Sequence, residues 1–424
     1  MKRDGASVSK WGDELRTLCK VARVIRFEDV ERARARIGQS VFLSPCAYSD
    51  MLSKETGTKC WLKLENLQMT GSFKERGACN KLMTLDASER ARGVICASAG
   101  NHAQGVAYHA TRLGMSATIV MPEATPLTKV NATARFGGKI VLHGASYDEA
   151  FEEAKRIEAA ENRVFVHAFN DEQVMAGQGT IGLELLEQNP YLDAIIVAIG
   201  GGGLAAGVAV AVKETNPKIK VFGVQVNTHA SMKKAIEAGA PLTLPPARTL
   251  AEGIAVRRAG DKTFDVVKKY VDDIAVVDEE EIAEAILALL EREKTVAEGA
   301  GAAPLAALLH RRLPVEGKRV AVVVCGGNID MHLMSRVIER GLVKSGRMVK
   351  MRLKIPDVAG SLARVANLVA QARSNIVQIN HERTFSDAAL NETDVEIVLE
   401  TRGFDHAQEV KDLLEASGYG VTIR

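Results

Sequence analysis

The sequence predicts an α/β protein with helix-covered parallel sheets, followed by a small C-terminal domain of the ferredoxin-like βαββαβ type. Two observations predict this class. From about residue 60 to residue 340, short β-branched runs alternate with longer helical patterns, which is typical of parallel sheets with helices on both faces. After a basic connector at Gly341–Met348, charged and apolar residues alternate strictly, which indicates a strand with one solvated face.

Short apolar runs mark the predicted strands of the parallel sheets. They are Gly93–Ala97, Ala117–Met121, Lys139–Leu142, Arg163–Ala168, Ala194–Ile199, Lys220–Val226, Ile274–Val277 and Arg319–Val324. Between them, Tyr147–Ala160 and Glu279–Lys294 have helical periodicity. Ligands of such sheets bind beyond the carboxyl ends of the strands. Because Ser98–His102, Gly200–Gly203 and Cys325–Asn328 all follow predicted strands, we expect them to form one site.

The C-terminal pattern predicts four strands and two helices. Lys350, Arg352 and Lys354 alternate with Met351, Leu353 and Ile355 in the first strand. A helix follows, because apolar residues recur at helical spacing from Leu362 to Val369. The remaining predicted elements, in chain order, are strands at Val377–Arg383 and Val395–Arg402, a helix carrying Ala407, Val410 and Leu414, and a strand at Tyr419–Ile423. This order is βαββαβ.

Composition excludes several classes of function. The 424 residues are 46% hydrophobic, 25% charged and 4% aromatic, and the net charge is only +2. This balance gives no reason to expect nucleic acid or an anionic membrane as partner. Six scattered cysteines without a C-x-x-C motif favour a reducing cytoplasm over a disulfide framework. Residues 1–20 have no apolar core, so they predict a polar N-terminal extension and no signal peptide.

Four consecutive glycines, Gly200 to Gly203, stand between a predicted strand and a predicted helix at Leu204–Lys213. Glycine allows an anion to approach the backbone, and the first N–H groups of the helix are unpaired and point toward it. The block therefore predicts a phosphate site. It also fits the dinucleotide pattern G-x-G-x-x-A through Ala205, so the glycines alone do not identify the phosphate.

Lys74 lies in the octapeptide Thr70–Gly77, where Ser72 and Glu75 have the spacing of a capping box. This spacing predicts that Lys74 falls in the first turn of a helix. The positive end of the helix dipole favours the neutral amine, which is the form needed for covalent chemistry with a carbonyl compound. A solvated lysine beside a helix cap is an equally good interpretation of the octapeptide alone.

Taken together, these motifs resemble the fold type II pyridoxal-phosphate-dependent enzymes, the tryptophan synthase beta-like group. Within that group, Ser98–Gly105 and Ala251–Val256 are most similar to the threonine dehydratases, also called threonine ammonia-lyases. The resemblance covers roughly residues 20–340. It implies a catalytic domain at 21–345 with two parallel-sheet lobes, the small lobe (about 66–154) being inserted in the large one. Residues 349–424 resemble an ACT regulatory domain, with Pro356–Leu362 at its ligand-side turn.

The resemblance also implies roles for single residues. Lys74 would be catalytic and would hold pyridoxal 5'-phosphate covalently, and Cys325 would face the pyridine nitrogen. The other residues implied to bind the cofactor are Phe73, Asn101, Gly200, Gly201, Gly202, Gly203, Leu204 and Glu298. The residues implied to bind the substrate are Ser98, Ala99, Gly100, Asn101 and His102. No metal ligands are expected.

The implied reaction is deamination of L-threonine, and of L-serine as well, by β-elimination of water. It would yield 2-oxobutanoate or pyruvate together with ammonia. Dehydration of 3-hydroxyaspartate is a second candidate. An amino-acid effector at the ACT domain, such as isoleucine in isoleucine biosynthesis, and a homodimer or homotetramer are further expectations from the resemblance.

Three other functions remain as alternatives. A serine racemase would need a second proton-transferring residue where this chain has Ala99, and metal carboxylates where it has Gln225 and Ser231. A nicotinamide-dependent oxidoreductase would need an acidic residue at the end of the strand after the glycine block, where Asn227 follows instead. A non-catalytic amino-acid sensor would not need the intact lysine loop.

Overall fold

The computed structural model describes residues 25–383 and 389–423. The extension predicted at residues 1–20 lies outside the described residues. The chain divides into two compact units, one ending at Ile329 and the other beginning at Asp330. The domain boundaries expected from the sequence, at 345 and 349, stay a prediction. None of the described helices is long and apolar enough to cross a membrane.

The elements of the first unit alternate between strands and helices along most of its length. In chain order they are α1 (Phe27–Ile37), β1 (Cys46–Ser49), α2 (Asp50–Thr56), β2 (Lys59–Leu64), α3 (Lys74–Met83), α4 (Ala87–Arg92), β3 (Val94–Ala97), α5 (Asn101–Arg112), β4 (Ala117–Met121), α6 (Leu127–Arg135), β5 (Lys139–Leu142), α7 (Tyr147–Glu161), β6 (Val164–Phe165), α8 (Glu172–Gln188), β7 (Ala194–Ala198), α9 (Gly203–Thr215), β8 (Lys220–Val226), α10 (Ser231–Ala238), α11 (Asp261–Tyr270), β9 (Asp273–Val277), α12 (Glu279–Glu293), α13 (Gly299–Leu309) and β10 (Arg319–Val324).

Two sheets form the first unit. The larger one has the order β1-β2-β10-β7-β8-β9 and is parallel except for the β1–β2 pair. The smaller one has the order β5-β4-β3-β6 and is parallel throughout. The predicted α/β class with parallel sheets is therefore confirmed. One strand is shorter than predicted, since β6 covers only two residues of the stretch expected at Arg163–Ala168.

The second unit contains one antiparallel sheet and three helices. Its elements are α14 (Met331–Lys344), β11 (Met348–Pro356), α15 (Ser361–Gln371), β12 (Asn375–Glu382), β13 (Glu392–Glu400), α16 (Phe404–Ala416) and β14 (Gly420–Ile423). The sheet order is β12-β13-β11-β14, and every pair is antiparallel. From β11 onward the order of elements is βαββαβ, as the alternating pattern predicts. Apolar residues of the strands and of α15 and α16 form the core of this unit.

A buried cluster of four charged side chains connects α3, which begins at Lys74, to α8 and β2. Arg76 donates to Glu65 and to Glu184 at 2.7 Å each, and Lys63 donates to Glu184 at 2.6 Å. All four side chains are almost completely buried. Burial by itself would raise the pKa of the Glu65 carboxyl, but the Arg76 guanidinium holds it below its ordinary value. The two positive and two negative charges therefore balance inside the protein.

Candidate functional site

The loop before α3 is paired with the turn after β10. The Phe73 amide donates to the Cys325 carbonyl at 3.0 Å, and the Gly327 amide donates to the Gly71 carbonyl at 2.9 Å. These bonds fix both segments at the carboxyl end of β10, where a ligand of a parallel sheet binds. Lys74 and the Cys325 turn, which are far apart in the sequence, thus belong to one site.

Lys74 is the first residue of α3, as expected, and its side chain is partly buried. The amine donates to the Ala168 carbonyl at 2.9 Å and lies 5.3 Å from the centre of the Phe73 ring. Burial lowers the pKa of Lys74 to about 8, although Cys325 and Glu298 act in the opposite direction. A substantial part of the amine is therefore unprotonated in mildly alkaline solution, which is the form that reacts with a carbonyl carbon.

The capping box expected from Ser72 and Glu75 is wrong. Ser72 Oγ is buried and has no hydrogen-bond partner among the described residues, and Phe73 occupies the N-cap position without a side-chain bond. Glu75 accepts instead from the backbone amide and the hydroxyl of Thr70, at 2.8 and 2.9 Å. The Glu75 carboxylate thus stabilises the loop that precedes Lys74 by binding Thr70. It does not hydrogen-bond to Ser72, as the predicted capping box would require.

The glycine block forms a turn of bare amides before α9. Within the described part of the chain, the amides of residues 201–205 have no hydrogen-bond acceptor. Gly202 has φ of +99°, which an L-residue adopts only under strain. A Cβ atom on Gly201 would lie 2.4 Å from the Phe169 ring, so only glycine fits there. The site is a concave surface of free N–H groups at the N-terminus of a helix, which suits a phosphate group.

Asn101 begins α5 and is held between two side chains. Its Nδ2 donates to Glu298 Oε1 at 2.7 Å, and its Oδ1 accepts from Asn328 Nδ2 at 2.8 Å. Burial raises the pKa of Glu298 to about 7, while the hydrogen bond from Asn101 lowers it. Glu298 is therefore a carboxyl that gains or loses its proton near neutral pH, at the same site as Lys74.

Cys325 is a buried neutral thiol. Burial, followed by the negative charge of Glu298, raises its pKa far above the range in which proteins function. Its sulfur lies 3.4 Å from the Ala300 carbonyl, to which the thiol proton is donated. The residue therefore carries no charge in the site and is a weak hydrogen-bonding partner.

The loop from Ser98 to His102 connects β3 to α5, and its members differ in accessibility. Ser98, Ala99 and Gly100 are partly exposed, and the Gly100 amide lies 3.3 Å from Ser98 Oγ. The His102 ring is buried, with Nε2 2.9 Å from the Val166 carbonyl. Burial and the nearby Lys74 charge lower the pKa of His102 to about 3. Its side chain is thus a neutral core group, and the substrate-binding role expected for this loop stays a prediction.

Sequence reasoning missed the segment 167–170, which contacts two parts of the site. Its Ala168 carbonyl accepts from Lys74, and the Phe169 ring packs on the glycine block. His167 Nδ1 accepts from the amides of Phe169 and Asn170, at 3.2 and 3.0 Å, which turns the backbone out of β6. The signal in the sequence is weak: it consists of a histidine at a strand end with an aromatic residue and an asparagine two and three residues later.

No group of three or more His, Cys, Asp or Glu side chains is arranged to hold a metal ion in the two described ranges of the chain. At the position where the racemase alternative requires a carboxylate, Gln225 is fully buried. Its Nε2 lies 3.2 Å from the carbonyls of Ile199 and His229, and its Oε1 accepts from the Lys233 amide at 2.9 Å. The side chain is thus committed to the backbone.

Comparisons with known proteins identify the family of this chain. A family model described as "Pyridoxal-phosphate dependent enzyme" matches residues 37–326. An L-threonine ammonia-lyase of Thermotoga maritima is 47% identical over 94% of this chain and 100% of its own length. The solved structure of the processed form of threonine deaminase isoform 2 from Solanum lycopersicum has a TM-score of 0.71, with 34% identity, and the match covers 74% of this chain and 87% of that chain.

A second solved structure, that of maize serine racemase, is equally similar in fold. It has a TM-score of 0.72 and 35% identity, and the match covers 76% of this chain and 99% of that chain. Fold similarity alone therefore does not separate elimination from racemisation, and the residues of the site have to do so.

Proposed function

The chain belongs to the pyridoxal-phosphate-dependent enzymes, and from this premise we propose that it is an L-threonine ammonia-lyase. It eliminates water from L-threonine, and hydrolysis of the resulting imine takes up one water and releases ammonia and 2-oxobutanoate. L-serine is converted to pyruvate and ammonia in the same way. The observation that carries the proposal is the convergence of Lys74, with its lowered pKa, and the unpaired amides of residues 201–205 in one unit of the fold. The 47% identity to an ammonia-lyase whose whole length is matched supports this reaction.

The residues present fit pyridoxal 5'-phosphate. Gly200 to Gly203 and Leu204 would hold the phosphate, because their region combines free amides with a helix N-terminus. Lys74 would bind the aldehyde carbon, and Asn101 would donate to the ring hydroxyl with the amide proton that Glu298 does not accept. Once bound, the cofactor supplies an electron sink for the bond between the α-carbon and its proton.

Lys74 has two tasks in this mechanism. As a neutral amine it would hold the cofactor, and when not bonded to the cofactor its Nζ would act as the general base for the α-proton of the substrate. Positioned proton transfer of this kind contributes about 10²–10⁴-fold to a rate. Both tasks need the unprotonated form, which the low pKa favours. The Ala168 carbonyl orients the nitrogen at 2.9 Å.

Cys325 and Ala99 direct the reaction toward elimination. The neutral Cys325 thiol donates a hydrogen bond to the Ala300 carbonyl, and it would supply no charge to the ring nitrogen that it would face. The bound cofactor would then be a weaker electron sink, which would favour loss of the β-hydroxyl. Racemisation would need a proton donor on the opposite side of the α-carbon, and the methyl group of Ala99 cannot provide one. We therefore propose elimination as the main reaction.

A steady-state comparison of L-threonine, L-serine and L-threo-3-hydroxyaspartate tests the substrate assignment. We expect the highest kcat/KM for L-threonine, with formation of 2-oxobutanoate, and no activity for Lys74→Ala. A higher value for 3-hydroxyaspartate would identify the alternative dehydratase. Formation of D-serine from L-serine at the rate of pyruvate formation would favour the racemase.

We propose that the enzyme is a homo-oligomer. Phe42, Leu43, Leu67, Met69 and Val296 are exposed apolar side chains of the first unit. Two links make them neighbours. Gln68 exchanges hydrogen bonds with the Phe42 backbone, and Asn66 donates to the Val296 carbonyl. A contiguous apolar surface of this kind indicates a contact between protein chains.

Met69→Glu tests this surface, because a charge there opposes burial. We expect the molar mass of the assembly, measured by light scattering after size-exclusion chromatography, to be lower than that of the wild type. Leu127→Glu, which also changes an exposed apolar residue of the first unit, is the control and should keep the assembly intact. An unchanged mass for Met69→Glu would place the contact between subunits elsewhere.

We further propose that the second unit binds an amino-acid effector between copies of the chain. In support, β12 is an edge strand on which Val377 and Ile379 are exposed, so another copy can pair with it. Titration of isoleucine and valine against initial rate, with the full chain and with residues 1–348, tests regulation. An unchanged ligand response after truncation would remove the claim.

We place the enzyme in the cytoplasm. The support is that Cys46, Cys60, Cys79, Cys96 and Cys325 are all free thiols, which fits a reducing compartment. Fractionation of cells that produce the protein tests this placement, with activity expected in the soluble cytoplasmic fraction.

A further inference from the structure

Asn101 belongs to a chain of hydrogen bonds whose direction is fixed at its outer end. The Thr70 backbone carbonyl can only accept, and Asn328 Nδ2 donates to it at 2.7 Å. The same nitrogen donates its second proton to Asn101 Oδ1 at 2.8 Å. The oxygen of Asn101 is thus turned toward Asn328, and its NH₂ group is turned toward Glu298, at 2.7 Å from Oε1.

The opposite orientation of the Asn101 amide is excluded by its neighbours. With the amide reversed, two NH₂ groups would face each other at Asn328, and two oxygens would face each other at Glu298. Asn328 is exposed and Asn101 and Glu298 are partly buried, so the reversed amide would lose both hydrogen bonds and place like groups at contact distance. Asn328 therefore selects one of two amide orientations that are nearly identical in shape.

Two glycines make room for this chain. A Cβ atom on Gly71 would lie 2.4 Å from Asn328 Oδ1, so any larger residue would displace the Asn328 amide. A Cβ atom on Gly326 would lie 2.5 Å from Glu298 Oε1 and 3.2 Å from Asn101 Nδ2. The backbone is thus kept free of side chains at both ends of the hydrogen-bond chain.

We propose that Asn328 is a positioning residue for the reaction, because it fixes the Asn101 amide with its NH₂ group directed toward Glu298 and the cofactor hydroxyl. The role toward the cofactor rests on the proposed function. The hydrogen-bond chain itself consists of residues of this protein and is present in the apoenzyme, so it can be measured without turnover.

The Glu298 carboxyl reports the orientation of Asn101. Its pKa is raised by burial and by Glu252, and it is lowered by the Asn101 hydrogen bond and by the charges of Lys129 and Lys74. If Asn101 turned its oxygen toward this carboxyl, the lowering contribution would be replaced by a repulsion between oxygens. The pKa of Glu298 would then rise above about 7.

Asn328→Asp is the test, since it keeps the shape and removes both N–H donors. A carboxylate at 328 accepts from the NH₂ group of Asn101 and thereby reverses the amide. In the apoenzyme we expect the pKa of Glu298 to rise by about one unit, a tenfold change in proton affinity. It is measured by infrared titration of the carboxyl band that is absent from Glu298→Gln. Affinity for pyridoxal 5'-phosphate should fall about tenfold.

Asn66→Asp is the matched control for charge. Asn66 lies on the other side of Gly327, and its amide donates to Thr295 and Val296 without contacting Asn101. If Asn66→Asp changed the Glu298 pKa and cofactor affinity as much as Asn328→Asp does, the positioning role would be refuted. Asn328→Ala adds no charge and should also weaken cofactor binding, which gives a second measurement if the Asp variant does not fold.

The two proposals fail in different ways. A wild-type apoenzyme that does not bind pyridoxal 5'-phosphate would refute the proposed function, whatever the Glu298 titration shows. Wild-type enzyme that deaminates threonine, together with Asn328 variants that bind the cofactor normally, would refute only the role of Asn328.

Discussion

The Lys74 amine lies 2.9 Å from the Ala168 carbonyl, so the nitrogen expected to react is held by the backbone of a segment 94 residues further along the chain. One carbonyl does not replace the water that an ammonium loses on burial. The folded protein therefore favours the neutral amine, and its pKa falls from 10.5 to about 8. This low pKa reduces the stability of the apoenzyme.

Lys74→Met should make the apoenzyme more stable at pH 7. Below about pH 8 the amine is protonated in both states, and only the folded state bears the cost of burying the charge. From the size of the pKa change we expect a gain of about 1–3 kcal/mol in the free energy of unfolding. The gain should decrease between pH 8 and 10.5, because the unfolded amine then loses its proton as well. Urea unfolding across this range measures it.

The exposed Lys218 provides a control for this measurement, since Lys218→Met removes a lysine without relieving a buried charge. A similar gain in Lys218→Met would mean that the effect is general and not caused by the site. A gain for Lys74→Met that persisted at pH 10.5 would mean that packing of the methionine, and not the buried charge, stabilises the variant.

Glu298→Gln should also stabilise the apoenzyme, but its gain should increase with pH, whereas the gain for Lys74→Met decreases with pH. The pKa of Glu298 is raised from 4.5 to about 7, so the folded state is penalised where the carboxyl is ionised, above pH 7. We expect a gain of about 1–3 kcal/mol at pH 8 that declines as the pH falls to 4.5. Denaturant unfolding at these pH values measures it. Glu123→Gln, at an exposed position, should show no such pH dependence.

Gly202→Ala and Gly239→Ala separate backbone strain from anion binding. Both glycines have positive φ, +99° and +82°. A Cβ atom on Gly239 would meet no neighbour, whereas one on Gly202 would lie 2.6 Å from Met232 and 2.9 Å from Thr263. We expect Gly239→Ala to lose about 1–2 kcal/mol of stability from the left-handed conformation alone.

Gly202→Ala should lose more stability than Gly239→Ala and should also bind pyridoxal 5'-phosphate at least about tenfold more weakly, which corresponds to about 1.4 kcal/mol. Titration of the apoenzyme with the cofactor measures this affinity. Equal affinity in the two variants would contradict the assignment of the glycine block as the phosphate site.

The sequence pattern is sufficient where one face of an element is buried and the other is solvated. In β11, Met351, Leu353 and Ile355 are buried, while Lys350 and Lys354 are exposed, as the alternation predicts. The glycine block is also predictable, because a strand, bare backbone and a helix follow one another directly in the chain. In both cases the physical cause lies within a few consecutive residues.

The pattern fails where the partners of a side chain are distant in the sequence. The strand β2 was not among the predicted strands, because Lys63 interrupts its apolar run. This lysine is fully buried and is neutralised by Glu184, 121 residues away. The Ser72 capping box failed for a related reason, since Glu75 bonds to Thr70 instead. Such pairings follow from the tertiary fold and leave no local signal.

Arg76→Met should be the most destabilising of these substitutions. It removes the cation that Glu65 and Glu184 share, and all three side chains are almost completely buried. Loss of one partner from a buried ion cluster costs about 3–5 kcal/mol.

Arg258→Met breaks an exposed pair with Asp261 and should cost less than about 1 kcal/mol. Because Arg76 lies two residues after Lys74, we also expect weaker cofactor binding in any Arg76→Met protein that folds. A loss of stability no greater than that of Arg258→Met would show that water or local rearrangement replaces the guanidinium.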